Sequence, residues 1–191
     1  MASAEPMGQG AARVVRVVDA GVAGFVRHWL LAVNAIMAGY VGLAALAPLL
    51  RAADYDLLAR PIYAAFGLIC HQRPERSFHL AGHQMACCER CAAIYGALFL
   101  GGLAFALVRA RFAPLSLAML AVLFLPMAVD GLTQVVGLRE STWELRVLTG
   151  SLFGFGLVWF VFPHLERGFK TETTSYSAVR RCSTPGAKRS W

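Results

Sequence analysis

Residues 70–91 read CHQRPERSFHLAGHQMACCERC and hold four of the chain's five cysteines and three of its five histidines. Thiolate and imidazole are the side-chain donors that bind soft and borderline metals, and thiols also exchange disulfides, so this cluster implies one or the other chemistry. Its sharpest unit is Cys88-Glu89-Arg90-Cys91, placed where a long apolar run begins. If that run is helical, the unpaired N–H groups and positive dipole end of its first turn favour thiolate over thiol. Arg90 adds positive charge there and Glu89 opposes it. Cys70-His71 lies upstream, so Cys70, His71, Cys88 and Cys91 form a two-plus-two donor set of the kind that zinc or another transition metal takes. An adjacent Cys-His pair chelates less readily than CxxC, which leaves open that one of the two is a bystander. His79 and His83 are four apart, but Gly82 between them argues for a polar loop rather than a helix face. Cys87 is read either as a disulfide partner of Cys70 or as a small buried residue.

The elements that must position this window are membrane helices. The chain is 58% hydrophobic with a mean hydropathy of +0.56, above the roughly 45–50% apolar content of soluble domains. Apolar stretches at about 28–50, 91–108, 114–137 and 146–163 approach the roughly 20 residues that cross a bilayer. These residues predict an all-α integral membrane bundle of about four transmembrane helices. A shorter run from Leu57 to Cys70, interrupted by Arg60 and Pro61, predicts an additional interfacial or re-entrant helix. Residues 1–27 interleave valines with Arg13, Arg16, Asp19 and Arg27 and read as an amphipathic segment lying on the membrane. Residues 28–163 then form the transmembrane domain, and 164–191 a basic disordered tail holding Cys182. Small residues four apart, Ala38 and Gly42, Ala97 and Gly101, Gly150 and Gly154, predict close helix packing.

A net charge of +7 without an aromatic-interleaved basic stripe points to lipid rather than nucleic acid as the partner. Lys and Arg in residues 1–27, 109–113 and 164–191 number eleven, against seven in 51–90 and 139–146. The positive-inside rule then predicts a multi-pass protein of the inner (plasma) membrane with cytoplasmic termini and an extracytoplasmic Cys/His loop.

A second polar group follows the third span. Asp130 and Gln134 are four apart, hence on one helical face, and Arg139, Glu140, Glu144 and Arg146 surround the next loop. Ionisable residues at membrane depth face a functional interior or a partner. In a four-span arrangement this loop emerges beside the Cys/His window. Asp130, Gln134, Arg139 and Arg146 thus form a catalytic set, with Asp130 as general base or outer-sphere group, or else Asp130 and Arg146 form a structural ion pair capping the bundle. Arg76 and Arg139 are read as phosphate or head-group ligands or as snorkelling interfacial residues.

Cys70-His71-Gln72, Arg76-Ser77-Phe78, Gly82, Cys88-x-Arg90-Cys91 and Ile94-Tyr95-Gly96 resemble the signature of prokaryotic membrane proteins catalogued as domain of unknown function 2085. Asp130-Gly131-x-x-Gln134, Gly137-x-Arg139 with Ser141, and Arg146 with Thr149-Gly150 are similar to that family's second block. The resemblance spans roughly residues 65–155, with Ala92-Ala93 standing where the family has Thr-Gly. It implies a site without naming a reaction.

Three classes of function remain. One is a metal site serving a metalloenzyme or metal-handling protein with a lipid-phase substrate. Another is a thiol–disulfide oxidoreductase passing electrons from Cys88 and Cys91 to a quinone, with Cys70 and Cys87 as a relay. The third is an assembly protein whose cysteines only staple the loop. P-loop, GxSxG, HExxH and Rossmann patterns do not occur.

Overall fold

The computed structural model describes residues 9–108 and 113–182. In chain order the described elements are α1 (Gln9–Ala52), α2 (Asp56–Gly67), a 3-10 turn (Pro74–Arg76), β1 (His79–Leu80), β2 (His83–Gln84), α3 (Glu89–Val108), α4 (Leu117–Val135) and α5 (Trp143–Cys182). Among the described residues, four helical stretches are long and apolar enough to cross a bilayer: Val26–Ala52, Glu89–Val108, Leu117–Val135 and Trp143–Phe169. The chain is therefore an all-α membrane bundle, with α2 as the additional short helix. At 12 residues α2 is about 18 Å long, short of the roughly 30 Å hydrocarbon core.

Two boundaries differ from expectation. The described part of the segment before residue 28 is helical and continuous with the span, since α1 runs unbroken from Gln9 to Ala52. No proline interrupts the chain between Pro6 and Pro48, so the turns of the span propagate backwards at one hydrogen bond per residue. At the other end, the disordered tail expected from residue 164 is helical as far as Cys182. The same reason holds: Pro163 is tolerated inside α5 and the next proline is Pro185. Residues 183–191 lie outside the described part, as do residues 1–8 of the amphipathic segment.

Helix α3 packs chiefly on α5, and also on α1; α4 lies against α5 and α2 against α1. The α3–α5 approach depends on small residues. A Cβ on Gly150 would stand 2.9 Å from the Arg90 carbonyl oxygen and 3.1 Å from the Ala93 Cβ. A Cβ on Gly154 would stand 2.7 Å from the Ile94 carbonyl oxygen and 2.8 Å from the Ala97 Cβ. Ala93, at the position where the resembled family has Gly, thus packs directly on Gly150. The pair Ala38 and Gly42 does not behave the same way: Ala38 is half-buried, and Gly42 is exposed with open space around it, so Gly42 presses on no neighbouring helix. Gly154→Val should force α3 and α5 apart and cost about 1–3 kcal/mol, read as a lower midpoint of denaturation in detergent, whereas Gly42→Val should leave the midpoint unchanged.

Two clusters hold the bundle. One gathers Trp29, Leu30, Phe105, Val158 and Phe162, with Trp29 edge-on to Phe162 at 5.2 Å. The other joins Ala44, Ala47, Phe66, Cys70, Met85, Ala86 and Cys87, so the polar window supplies core of its own.

Candidate metal centre

The window reaches its place through a defect in α1. Pro48 lacks the N–H that would bond to the Ala44 carbonyl, and the Ala86 N–H fills that vacancy at 3.3 Å. Ala44 lies eight residues before the end of α1, about 12 Å along its axis, so residues 84–88 dock well inside the first span. A hairpin carries the chain there. Its Ala81-Gly82 turn has positive φ at both positions, 49° and 80°, the type I′ geometry that suits a two-residue loop, and His79 pairs with Gln84. Gln72, also at positive φ, clamps the base: its Nε2 donates to the carbonyls of Tyr63 (2.8 Å) and Ala86 (2.7 Å), while Gln84 Nε2 donates to the Gln72 carbonyl at 2.5 Å. The Tyr63 hydroxyl donates to the Gln84 carbonyl.

This clamp brings three sulfurs together. The Sγ atoms of Cys70, Cys88 and Cys91 lie within 4.8 Å of one another, and all three thiols are free. Cys88 N–H donates to the Cys70 sulfur at 3.2 Å. Hydrogen bonds from the Cys88 and Cys91 thiols, joined by the backbone N–H groups of Gln72 and Cys88, hold the Cys70 thiol far below its usual range despite its burial. The donating Cys88 thiol is correspondingly raised. A cluster that concentrates negative charge on sulfur and supplies N–H donors to it is chemically suited to a soft or borderline cation. Tetrahedral zinc with Zn–S near 2.3 Å requires sulfurs about 3.8 Å apart, a spacing compatible with a group whose sulfurs all lie within 4.8 Å.

Cys87 is fully buried outside this group, and burial raises its thiol to about 12. His71 is exposed and is not part of the sulfur group. With the Gln72 N–H turned back on the Cys70 sulfur, the chain curls around that atom and its intervening side chain is left outside. His79 is exposed and His83 half-buried on the hairpin.

The second polar group meets the first at the opening turn of α3. Cys88 and Cys91 serve the sulfur cluster, while the two residues between them reach the other way. Arg90 donates to Asp130, which also accepts from Arg139 Nη2 at 2.9 Å and Gln134 Nε2 at 3.0 Å. Glu89 accepts from Arg146 Nη1 at 2.9 Å, and both are buried. Asp130, Gln134 and Arg139 are therefore gathered as expected, but the Asp130–Arg146 pair is not formed. Arg90 is the partner of Asp130, and Glu89 that of Arg146. Arg139 reaches Asp130 because α4 ends in a Schellman turn: Gly137, at φ 71°, donates to Gln134, and Leu138 donates to Thr133 at 3.0 Å. Separately, the half-buried Arg76 meets the exposed Glu140 at 3.8 Å, a pair of little energetic weight.

The sequence reading missed Glu89 and Arg90 as ion-pair partners, treating them only as modulators of the thiols. The available signal was their position: charged residues in the first turn of an apolar helix require compensation. It also missed Gln72 as the clamp and Tyr40, from α1, which packs against the cysteine cluster.

Residues 70–160 match the family model described as predicted membrane protein (DUF2085). An uncharacterised protein of Methanocaldococcus jannaschii is 43% identical over 104 residues, covering 53% of this chain and 67% of that protein. An uncharacterised protein of Methanothermobacter thermautotrophicus is 38% identical over 92 residues, covering 48% of this chain and 83% of its own. No solved structure gives a significant match. With the matched region running from the first cysteine of the window through both polar groups and into the first half of α5, the chain belongs to the DUF2085 family of predicted membrane proteins.

Proposed function

We propose that this multi-pass membrane protein holds one divalent transition metal, with zinc as the reference ion, on the thiolates of Cys70, Cys88 and Cys91. The observation that carries the reading is the convergence of three free sulfurs from two segments within 4.8 Å. A disulfide enzyme needs a pair, and a structural staple needs a bond. Three mutually adjacent thiols with N–H donors around them favour a cation. Charge supports the reading: Arg90, Arg139 and Arg146 against Glu89 and Asp130 leave one excess positive charge beside the site. That excess offsets the single negative charge of a divalent ion on three thiolates, a substantial matter at low dielectric.

Asp130, Gln134, Arg139 and Arg146 serve in this reading as a lattice tying α4 and α5 to the first turn of α3. They act on the metal through the placement of Cys88 and Cys91 rather than on a substrate. The balance of basic residues supports cytoplasmic termini and a metal at the outer face of the plasma membrane in this reading.

Cysteine alkylation in native membranes tests the reading. Cys70, Cys88 and Cys91 should resist maleimide as a set and become reactive together once a membrane-permeant chelator is added, at least about tenfold faster than before. Cys87 should stay unreactive in both conditions because it is buried whether or not metal is present. Equal labelling of the three with and without chelator would contradict metal ligation.

A further inference from the structure

Three sulfurs fill three corners of a tetrahedral site, and a site closed by four protein donors behaves differently from one that keeps a corner open. The sequence offers His71 for the fourth corner, but that ring is exposed and outside the sulfur group. The structure offers a different group. Tyr40 of α1 packs against the cluster containing Cys70 and Cys87. Its ring stacks on Tyr95 with centroids 3.7 Å apart and tilts against Phe66 at 4.5 Å. Tyr95 is one helical turn beyond Cys91, so this stack sets the Tyr40 ring against the sulfur-bearing face of α3. The Tyr40 hydroxyl is buried and has no hydrogen-bond partner among the described residues.

A buried hydroxyl is ordinarily satisfied, and one left without a partner beside a three-donor metal site marks the place of a missing acceptor. Resting on the metal reading above, we propose that the fourth coordination position is taken by a small anionic donor from outside the chain, of the hydroxide or alkylthiolate kind, held by a hydrogen bond from the Tyr40 hydroxyl. Cys88 and Cys91 are only half-buried, whereas Cys70 is buried, so the ligand enters from their side. The surrounding Ala44, Ala47, Phe66 and Met85 make the inner wall apolar, which keeps bulk water out and restricts entry to small ligands. An open position of this type polarises whatever occupies it, so the centre is of the reactive rather than the purely structural kind.

The test uses the full chain in lipid nanodiscs, stripped of metal under reducing conditions and loaded with cobalt(II), with sodium azide as the probe anion. Wild-type protein should show intense sulfur-to-cobalt charge transfer, and azide should shift the ligand-field bands saturably without loss of that charge transfer. Tyr40→Phe, which keeps the stacked ring, should retain the charge transfer and bind azide about tenfold more weakly, the loss of one hydrogen bond to a charged acceptor. His71→Ala should leave the cobalt spectrum and azide affinity unchanged. Ligand-field bands that ignore azide, an altered spectrum in His71→Ala, or unchanged azide affinity in Tyr40→Phe would each overturn the open position as proposed while leaving the metal centre standing. Absence of charge transfer in the wild type would remove the centre itself, and the inference with it.

Discussion

Cys91→Ser should abolish metal retention and remove the stabilisation that metal gives the folded bundle. In the proposed site each thiolate is one of three protein donors, so affinity should fall by at least about 100-fold, more than changes to the residues that support metal ligands cause. When free metal stands roughly a thousandfold above its dissociation constant, binding to the native state contributes about 4 kcal/mol, and that is the amount at stake. The comparison that isolates ligation from burial is Cys87→Ser. Cys87 lies four residues before Cys91 and is more deeply buried, yet is outside the sulfur group, so its replacement should lower stability without releasing metal. Thermal denaturation with and without chelator separates the two: chelator should shift the midpoint of Cys87→Ser as it does the wild type's, and leave Cys91→Ser unmoved.

Arg146→Leu should be nearly as damaging, for a different reason. The substitution leaves Glu89 buried with no counter-charge, and breaking a buried pair from one side costs about 3–5 kcal/mol. Removing both charges, as Glu89→Leu with Arg146→Leu, should restore most of that loss, because the pair's desolvation cost disappears with it. A double-mutant cycle on the midpoint of denaturation in detergent reads the coupling directly, and additive losses would show that the two side chains do not interact. The metal site should report the same event. Glu89 lies between Cys88 and Cys91, so the single variant should weaken metal binding about tenfold through displaced ligands.

The membrane architecture was legible because lipid imposes a simple rule on sequence: about 20 apolar residues per crossing, all backbone groups paired within the helix. That rule located the four spans and kept α2 apart from them. It could not show that α1 and α5 extend into polar sequence, since helix propagation from a span depends on the absence of breakers more than on hydropathy. The glycine pairs illustrate a second limit. Gly150 and Gly154 press on α3 whereas Gly42 faces outward, and only the neighbouring helix decides which.

The cysteines of the site were legible from type and spacing, and Cys70, Cys88 and Cys91 do converge. Their surroundings were not. Arg90 meets Asp130 forty residues away, and Arg146 meets Glu89 across fifty-seven. No local pattern encodes such partners, so an Asp130–Arg146 pair was the natural assignment within the short segment that contains both. Ala86 docks on Ala44 because a proline freed one carbonyl, and that consequence of Pro48 emerges only when the chain returns to it.

Elemental analysis of protein purified from its own membranes without a metal-affinity step, combined with counting of the window's thiols after denaturation in chelator, tests the central claim most directly. The account predicts one transition-metal atom per chain and Cys70, Cys87, Cys88 and Cys91 all recovered as free thiols. Protein without metal, carrying a disulfide among Cys70, Cys88 and Cys91, would contradict it and assign the cluster to thiol exchange.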